Sequence, residues 1–223
     1  MSEGLELRAG SVEPRVQAEF PGLSLDWITV PARPRDSPPE VRRRLKLLAD
    51  RYRGANVVAM RTRPIPHAYR AFFRQIGLDP DVSRIPSERA AVARLLHGEF
   101  RSEDLLRDAL LIALIETGVP VWALDADLVT GGLGIRTTIS DDILGTGDRG
   151  GHLAPGRLVV ADADRVHGLL FGDPAPERRV GSGTTRMALF AVGVHGVPAI
   201  AVREALWVSV ELLDPGPEPG TGW

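Results

Sequence analysis

Apolar positions along the chain fall into two textures, helical spacing in the first half and short alternating runs in the second. Leu25 to Val30 (Leu-Asp-Trp-Ile-Thr-Val) reads as a strand that Pro31 ends. Pro31 to Pro39 is too polar and kinked for regular structure. Val41, Leu45, Leu48 and Tyr52 then recur at helical spacing, with Arg42, Arg43, Lys46 and Arg53 largely off that stripe. Ser37 with Glu40 three residues on forms a capping box, Pro38 takes the first helical position, and Gly54 marks the stop. Val57–Met60 reads as a short strand. Tyr69, Phe72, Phe73 and Ile76 form the core stripe of a second helix, which begins behind Pro66 and is closed by Gly77 and Asp79-Pro80. Ser87 caps a third helix that runs to Gly98 and buries Val92, Leu95 and Leu96. A fourth opens at Ser102, runs to Gly118 and is apolar almost all round, which places it deep in the domain.

After Gly118 the texture changes. Val121–Leu124, Gly134–Ile139, Arg157–Val160, Val166–Phe171 and Met187–Val194 are short strands between Gly, Pro and Asp turns. Gly145 to Gly156 reads as a polar glycine-rich loop, and a last helix starts near Pro198 with Ile200, Val202, Leu206, Val210 and Leu213 on its apolar face. The segment from Asp214 to Trp223 has the composition of a disordered tail. Helices first and strands afterwards favour an α+β fold over an alternating α/β sheet.

Composition narrows the chemistry. The 223 residues include no cysteine, which excludes disulfides, thiolate zinc sites, iron–sulfur clusters and a cysteine nucleophile. A net charge of −2 hides an uneven distribution: residues 1–107 carry 19 Lys+Arg against 14 Asp+Glu, and 108–223 carry 8 against 15. Between Arg33 and Arg74 stand 12 positive residues and three carboxylates (Asp36, Glu40, Asp50). All of the chain's 27 positive residues but Lys46 are arginine, whose planar fork suits phosphate; a solvated charged face is the bland alternative. The start of the chain shows no signal-peptide core and no apolar run is long enough to span a bilayer, so a cytoplasmic protein without a membrane partner is the expectation.

Familiar catalytic signatures fail. Gly131-Gly132-Leu133-Gly134 lacks the third glycine of a dinucleotide fingerprint, and Gly181-Ser182-Gly183 lacks the spacing of a nucleophile elbow. Five histidines stand at 67, 97, 152, 167 and 195 with no pair at helical ligand spacing, so neither a metal nor another cofactor is expected. The pairs Asp125/Asp127 and Asp162/Asp164 fit either a divalent cation or turn and cap duty. His167, beside Gly168, is the histidine best placed to line a pocket, against a hydrogen-bonded structural role.

More specific is a resemblance carried by residues 67–125. His67-Ala-Tyr-Arg-Ala-Phe-Phe-Arg-Gln-Ile-Gly-Leu-Asp-Pro, then Ser83-Arg-Ile-Pro-Ser-Glu-Arg, then Glu116-Thr-Gly-Val-Pro-Val-Trp-Ala-Leu-Asp125, and later Arg157-Leu-Val-Val-Ala-Asp162, resemble the B3/B4 domain family. That domain occurs in the β subunit of bacterial phenylalanyl-tRNA synthetase and as stand-alone proteins. The resemblance implies one α+β domain of helices on a mixed β-sandwich over residues 25–213, with 1–24 as an N-terminal extension and 214–223 as a tail. It further implies tRNA as partner and the hydrolysis of mischarged aminoacyl-tRNA, with Arg42, Arg43, Lys46, Arg53, Arg70 and Arg74 as phosphate contacts.

Three departures bear on that activity. Trp122 stands where the family's editing site has histidine, an apolar residue near Leu111 replaces an asparagine, and Met187–Val192 brings no carboxylate. The pocket would then be walled by Trp122, Asp125 and Gly168, its polar groups coming from His167, Thr184, Thr185 or Arg186. Three readings stay open: a trans-editing deacylase, a non-catalytic module for RNA or a small amino-acid-like ligand, and a protein-interaction adaptor on the same fold.

Overall fold

A computed structural model describes residues 5–52, 54, 59–145 and 150–213. Its elements in chain order are β1 (Leu7–Ala9), β2 (Ser11–Val12), α1 (Pro14–Glu19), β3 (Ser24–Pro31), α2 (Pro39–Arg51), α3 (Pro64–Gln75), α4 (Pro86–His97) and α5 (Leu105–Thr117). There follow β4 (Val121–Asp125), β5 (Gly134–Thr137), β6 (Ile143–Leu144), β7 (Gly151–His152), β8 (Leu158–Ala161), β9 (Val166–Leu169), β10 (Arg186–Gly193) and α6 (Ala199–Leu213). The fold is α+β.

Two four-stranded sheets share one core. The first runs β1-β3-β10-β4, antiparallel throughout, with β10 and β3 paired from Arg186↔Pro31 to Gly193↔Ser24. The second runs β2-β5-β8-β9, its β2–β5 pair parallel and the others antiparallel. Residues 7–12, expected as an extension ahead of the domain, belong to it: β1 edges the first sheet and β2 the second. Gly10 makes the crossing between them, where a Cβ would lie 2.6 Å from both the Leu133 carbonyl oxygen and Leu25 Cδ2.

Layers on both faces explain why β10 is buried from Met187 to Gly193. The apolar α5 lies between α2 and α6, and α6 packs along β10 and β3. Elsewhere the Tyr69 hydroxyl of α3 donates to the Val192 carbonyl of β10 at 2.7 Å. Phe171 gathers the rings of Tyr69, Phe72, Phe73 and Trp122 at centroid distances of 5.3–5.8 Å. Its φ of +62° makes it the one non-glycine residue with positive φ among those described.

Helix starts depart most from expectation. Ser37 and Ser102 cap nothing; both hydroxyls donate to buried Asp108 of α5, each at 2.5 Å. Asp104 caps α5 instead, accepting from the Arg107 N–H at 2.8 Å. Ser87 lies inside α4, buried, with its Oγ unpartnered among the described residues. Leu95 and Leu96 are exposed, and Ala91 fills the core position of that helix. Ala59 and Met60 are helical rather than extended, and residues 57–58 of that expected strand lie outside the described residues, as do Arg53 and the tail 214–223. Within the expected loop 145–156, β7 pairs with β6 just ahead of it. Among the described residues no helix is long and apolar enough to cross a membrane.

Candidate functional site

The residues expected to form one pocket separate into three places. Trp122, on β4, is 9% exposed, stacked on Phe190 at 5.5 Å and 15° and edge-on to Phe171. Aromatic side chains fill the space around its ring, and none of them offers a polar group to position water.

A second place collects four of the candidates. β10 begins beside the end of β4, with Met187 opposite Asp125, and this brings residues nearly 60 positions apart together. Thr184 Oγ1 donates to Asp125 Oδ2 at 2.7 Å and accepts from the Gly181 N–H at 3.0 Å. Thr185 Oγ1 donates to Asp127 Oδ2 at 2.9 Å, and the Arg186 guanidinium donates to Asp127 Oδ1 at 2.7 and 3.1 Å. Arg186, then Thr185, hold the Asp127 carboxyl below the usual carboxylate range. Each polar group is paired with another of the cluster, so the arrangement fixes the turn Gly181–Thr184 against β4. That turn walls a cavity of about 320 Å³ whose opposite side is Arg33, Arg35, Asp104 and Leu106.

Third, His167 is 1% exposed, and its Nε2 lies 2.8 Å from Asp162 Oδ2. The Asp162 carboxylate also accepts from the backbone N–H groups of Thr130, Asp164 and Arg165. Burial opposes ionisation of Asp162, but these N–H groups and His167 outweigh it and hold its carboxyl below the usual range. Burial pushes His167 below the usual imidazole value, against the pull of Asp162. The neutral ring donates from Nε2, and Nδ1 is buried without a partner among the described residues. Gly168 pairs with Pro174 in an isolated bridge, where a Cβ would sit 3.4 Å from the Asp173 carbonyl oxygen. Both Asp-x-Asp pairs therefore serve turns, Asp125 accepting from the Asp127 N–H just as Asp162 does from Asp164. Among the described residues no group of three or more His, Asp or Glu could hold a metal.

The arginines expected to meet RNA also divide. Arg70 is 6% exposed, with Glu88 at 2.8 Å and Asp81 at 2.8 Å on its guanidinium. Although burial opposes its charge, Asp81 and Glu88 keep that charge fixed, and Arg70 is a structural cation rather than a surface one. Arg74 is exposed at the end of α3. On α2, Arg42, Arg43 and Lys46 are exposed and have no ion-pair partner among the described residues. Their neighbour Arg44 is engaged by Glu116 of α5 at 2.8 and 2.6 Å.

One cleft escaped sequence reasoning. Two adjoining cavities, of about 370 and 260 Å³, open between the α3–α4 connection and the β8–β9 edge of the second sheet, sharing Leu78, Arg157, Leu169 and Leu170. Arg84 and Arg89 reach the larger one from the approach to α4 and from its first turn. The only signal was the Arg84-x-Pro86-Ser87 string, since Arg157 comes from a segment more than 60 residues away.

The chain matches no protein-family model and no curated protein. The B3/B4 resemblance accordingly rests on the motifs at 67–125 and 157–162 alone.

Proposed function

We propose that the protein is a non-catalytic RNA-binding module, with tRNA the partner that the B3/B4 resemblance suggests. The observation that carries this reading is the exposed face of α2. There Arg42, Arg43 and Lys46 stand without carboxylate partners among the described residues, on a helix packed into the core through Val41, Leu45 and Leu48. Unpaired cations on a rigid helix contact phosphates without losing ion pairs already made. Binding is favoured over hydrolysis because aromatic rings occupy the surroundings of Trp122, because Asp125 and Thr184 are paired with each other, and because His167 is buried with its Nε2 on Asp162, away from both.

Titration of unmodified tRNA at increasing salt tests the reading. Three phosphate contacts give a slope of log K against log salt of about −2 to −3. R42E/R43E removes binding while the melting temperature stays in place. A flat salt dependence, or binding unchanged in that variant, overturns the proposal. Hydrolysis of any mischarged tRNA in a panel would restore the deacylase reading.

A further inference from the structure

The cleft between the α3–α4 connection and the second sheet differs in character from the α2 face. Its floor is apolar, made of Phe73, Leu78, Leu169, Leu170 and Phe171. Its polar side chains are dominated by three arginines, Arg84, Arg89 and Arg157, brought together from the start of α4 and the start of β8. All three are exposed and none has an ion-pair partner among the described residues. Asp81 and Glu88, on the same α3–α4 connection and the first turn of α4, are already held by Arg61 and Arg70 at 2.8–3.4 Å. Among the cavity-lining residues, Glu19 is the one carboxylate, at the far end in the smaller cavity.

From this juxtaposition we infer that the cleft is a binding site for a small organic anion, a phosphate or carboxylate carried on an apolar body. Guanidinium forks match either anion, and an apolar floor lowers the local dielectric and strengthens the charge-assisted hydrogen bonds. At about 370 Å³ the larger cavity has the size of a small-molecule site. An apolar body on the leucine floor accounts for the half of the cleft that a bare ion leaves unused. No residue of α2 takes part, so the site stands independently of the RNA reading.

Calorimetric titration with phenyl phosphate, phenylacetate, inorganic phosphate and benzyl alcohol decides the matter. Phenyl phosphate or phenylacetate binds tighter than about 1 mM, and at least about tenfold tighter than inorganic phosphate or benzyl alcohol. Which of the two binds better identifies the anion. The double variant R89A/R157A lowers that affinity by about tenfold or more while its melting temperature and its tRNA binding stay unchanged. R42E/R43E does the converse, abolishing tRNA binding and sparing phenyl phosphate. The inference is overturned if neither aromatic anion binds, if inorganic phosphate binds as tightly as they do, or if the double variant binds like the parent.

Discussion

The hydroxyl of Ser37 donates to Asp108 Oδ2 across 71 positions of sequence, at 2.5 Å, and so fastens the irregular segment between β3 and α2 to the middle of the helical layer. Ser102 Oγ and the Glu103 N–H share the same carboxylate, at 2.5 and 3.0 Å. Asp108 is 1% exposed, so truncating it strands the buried Ser37 hydroxyl, while the donors on exposed Ser102 and Glu103 turn to solvent. Asp108→Ala is expected to cost about 2–3 kcal/mol and Ser37→Ala about 1 kcal/mol in urea unfolding. Equal effects of the two would mean the carboxylate is not the hub.

Arg70 and Glu88 form a buried pair, 6% and 5% exposed, joined by two hydrogen bonds of 2.8 and 3.0 Å. Arg70→Ala leaves a carboxylate in the interior and is expected to cost about 3–5 kcal/mol. Arg74→Ala, one helical turn on and exposed, leaves the unfolding midpoint in place. Loss of tRNA affinity in a folded Arg70 variant would contradict a purely structural role for this guanidinium.

The contrast between these neighbours shows what periodicity can and cannot carry. Helical spacing placed Tyr69, Phe72 and Phe73 in the core, because burying an apolar stripe is a local pattern. It placed Leu95 and Leu96 there too, yet the neighbours of α4 reach only its Ala91 side, and both leucines stay in solvent. Ser37 and Ser102 carry a local capping signal, in which the hydroxyl would accept from a backbone N–H, yet both hydroxyls donate to the buried Asp108 carboxylate, a partner that tertiary packing supplies. The resemblance groups Thr184 and Asp125 with Trp122 and His167 in one pocket; the β4–β10 register makes only the first two partners, and register is a property of the sheet. The cleft's three arginines were invisible for the same reason.

His167 and Asp162 make stability depend on pH in one direction. The folded imidazole value lies below its unfolded one, so as pH falls through about 6.5 the unfolded chain gains a proton that the folded chain refuses. Stability falls over that window and stops falling below the folded value. Asp162 is also depressed, so its contribution is present above the unfolded carboxyl value of about 3.9 and disappears as pH falls through its folded value. His167→Gln is expected to flatten the first decline and keep the second, as read from urea midpoints between about pH 7 and 3. An unaltered decline near pH 6 in that variant would move its origin elsewhere.

Phe171 carries two opposing energies. Its φ of +62° is left-handed backbone, which for a residue with a Cβ costs about 1–2 kcal/mol. The ring offsets this by packing on Tyr69, Phe72, Phe73 and Trp122, and truncating a buried phenylalanine costs about 3–5 kcal/mol. Phe171→Ala loses the ring and keeps the strain, whereas Phe171→Gly loses the ring and relieves it. Glycine is therefore expected to be the milder substitution by about 1 kcal/mol, the reverse of its usual rank against alanine. Denaturant unfolding of the two variants gives the difference directly, and alanine equal to or more stable than glycine would show that the backbone at 171 is not held in the left-handed region.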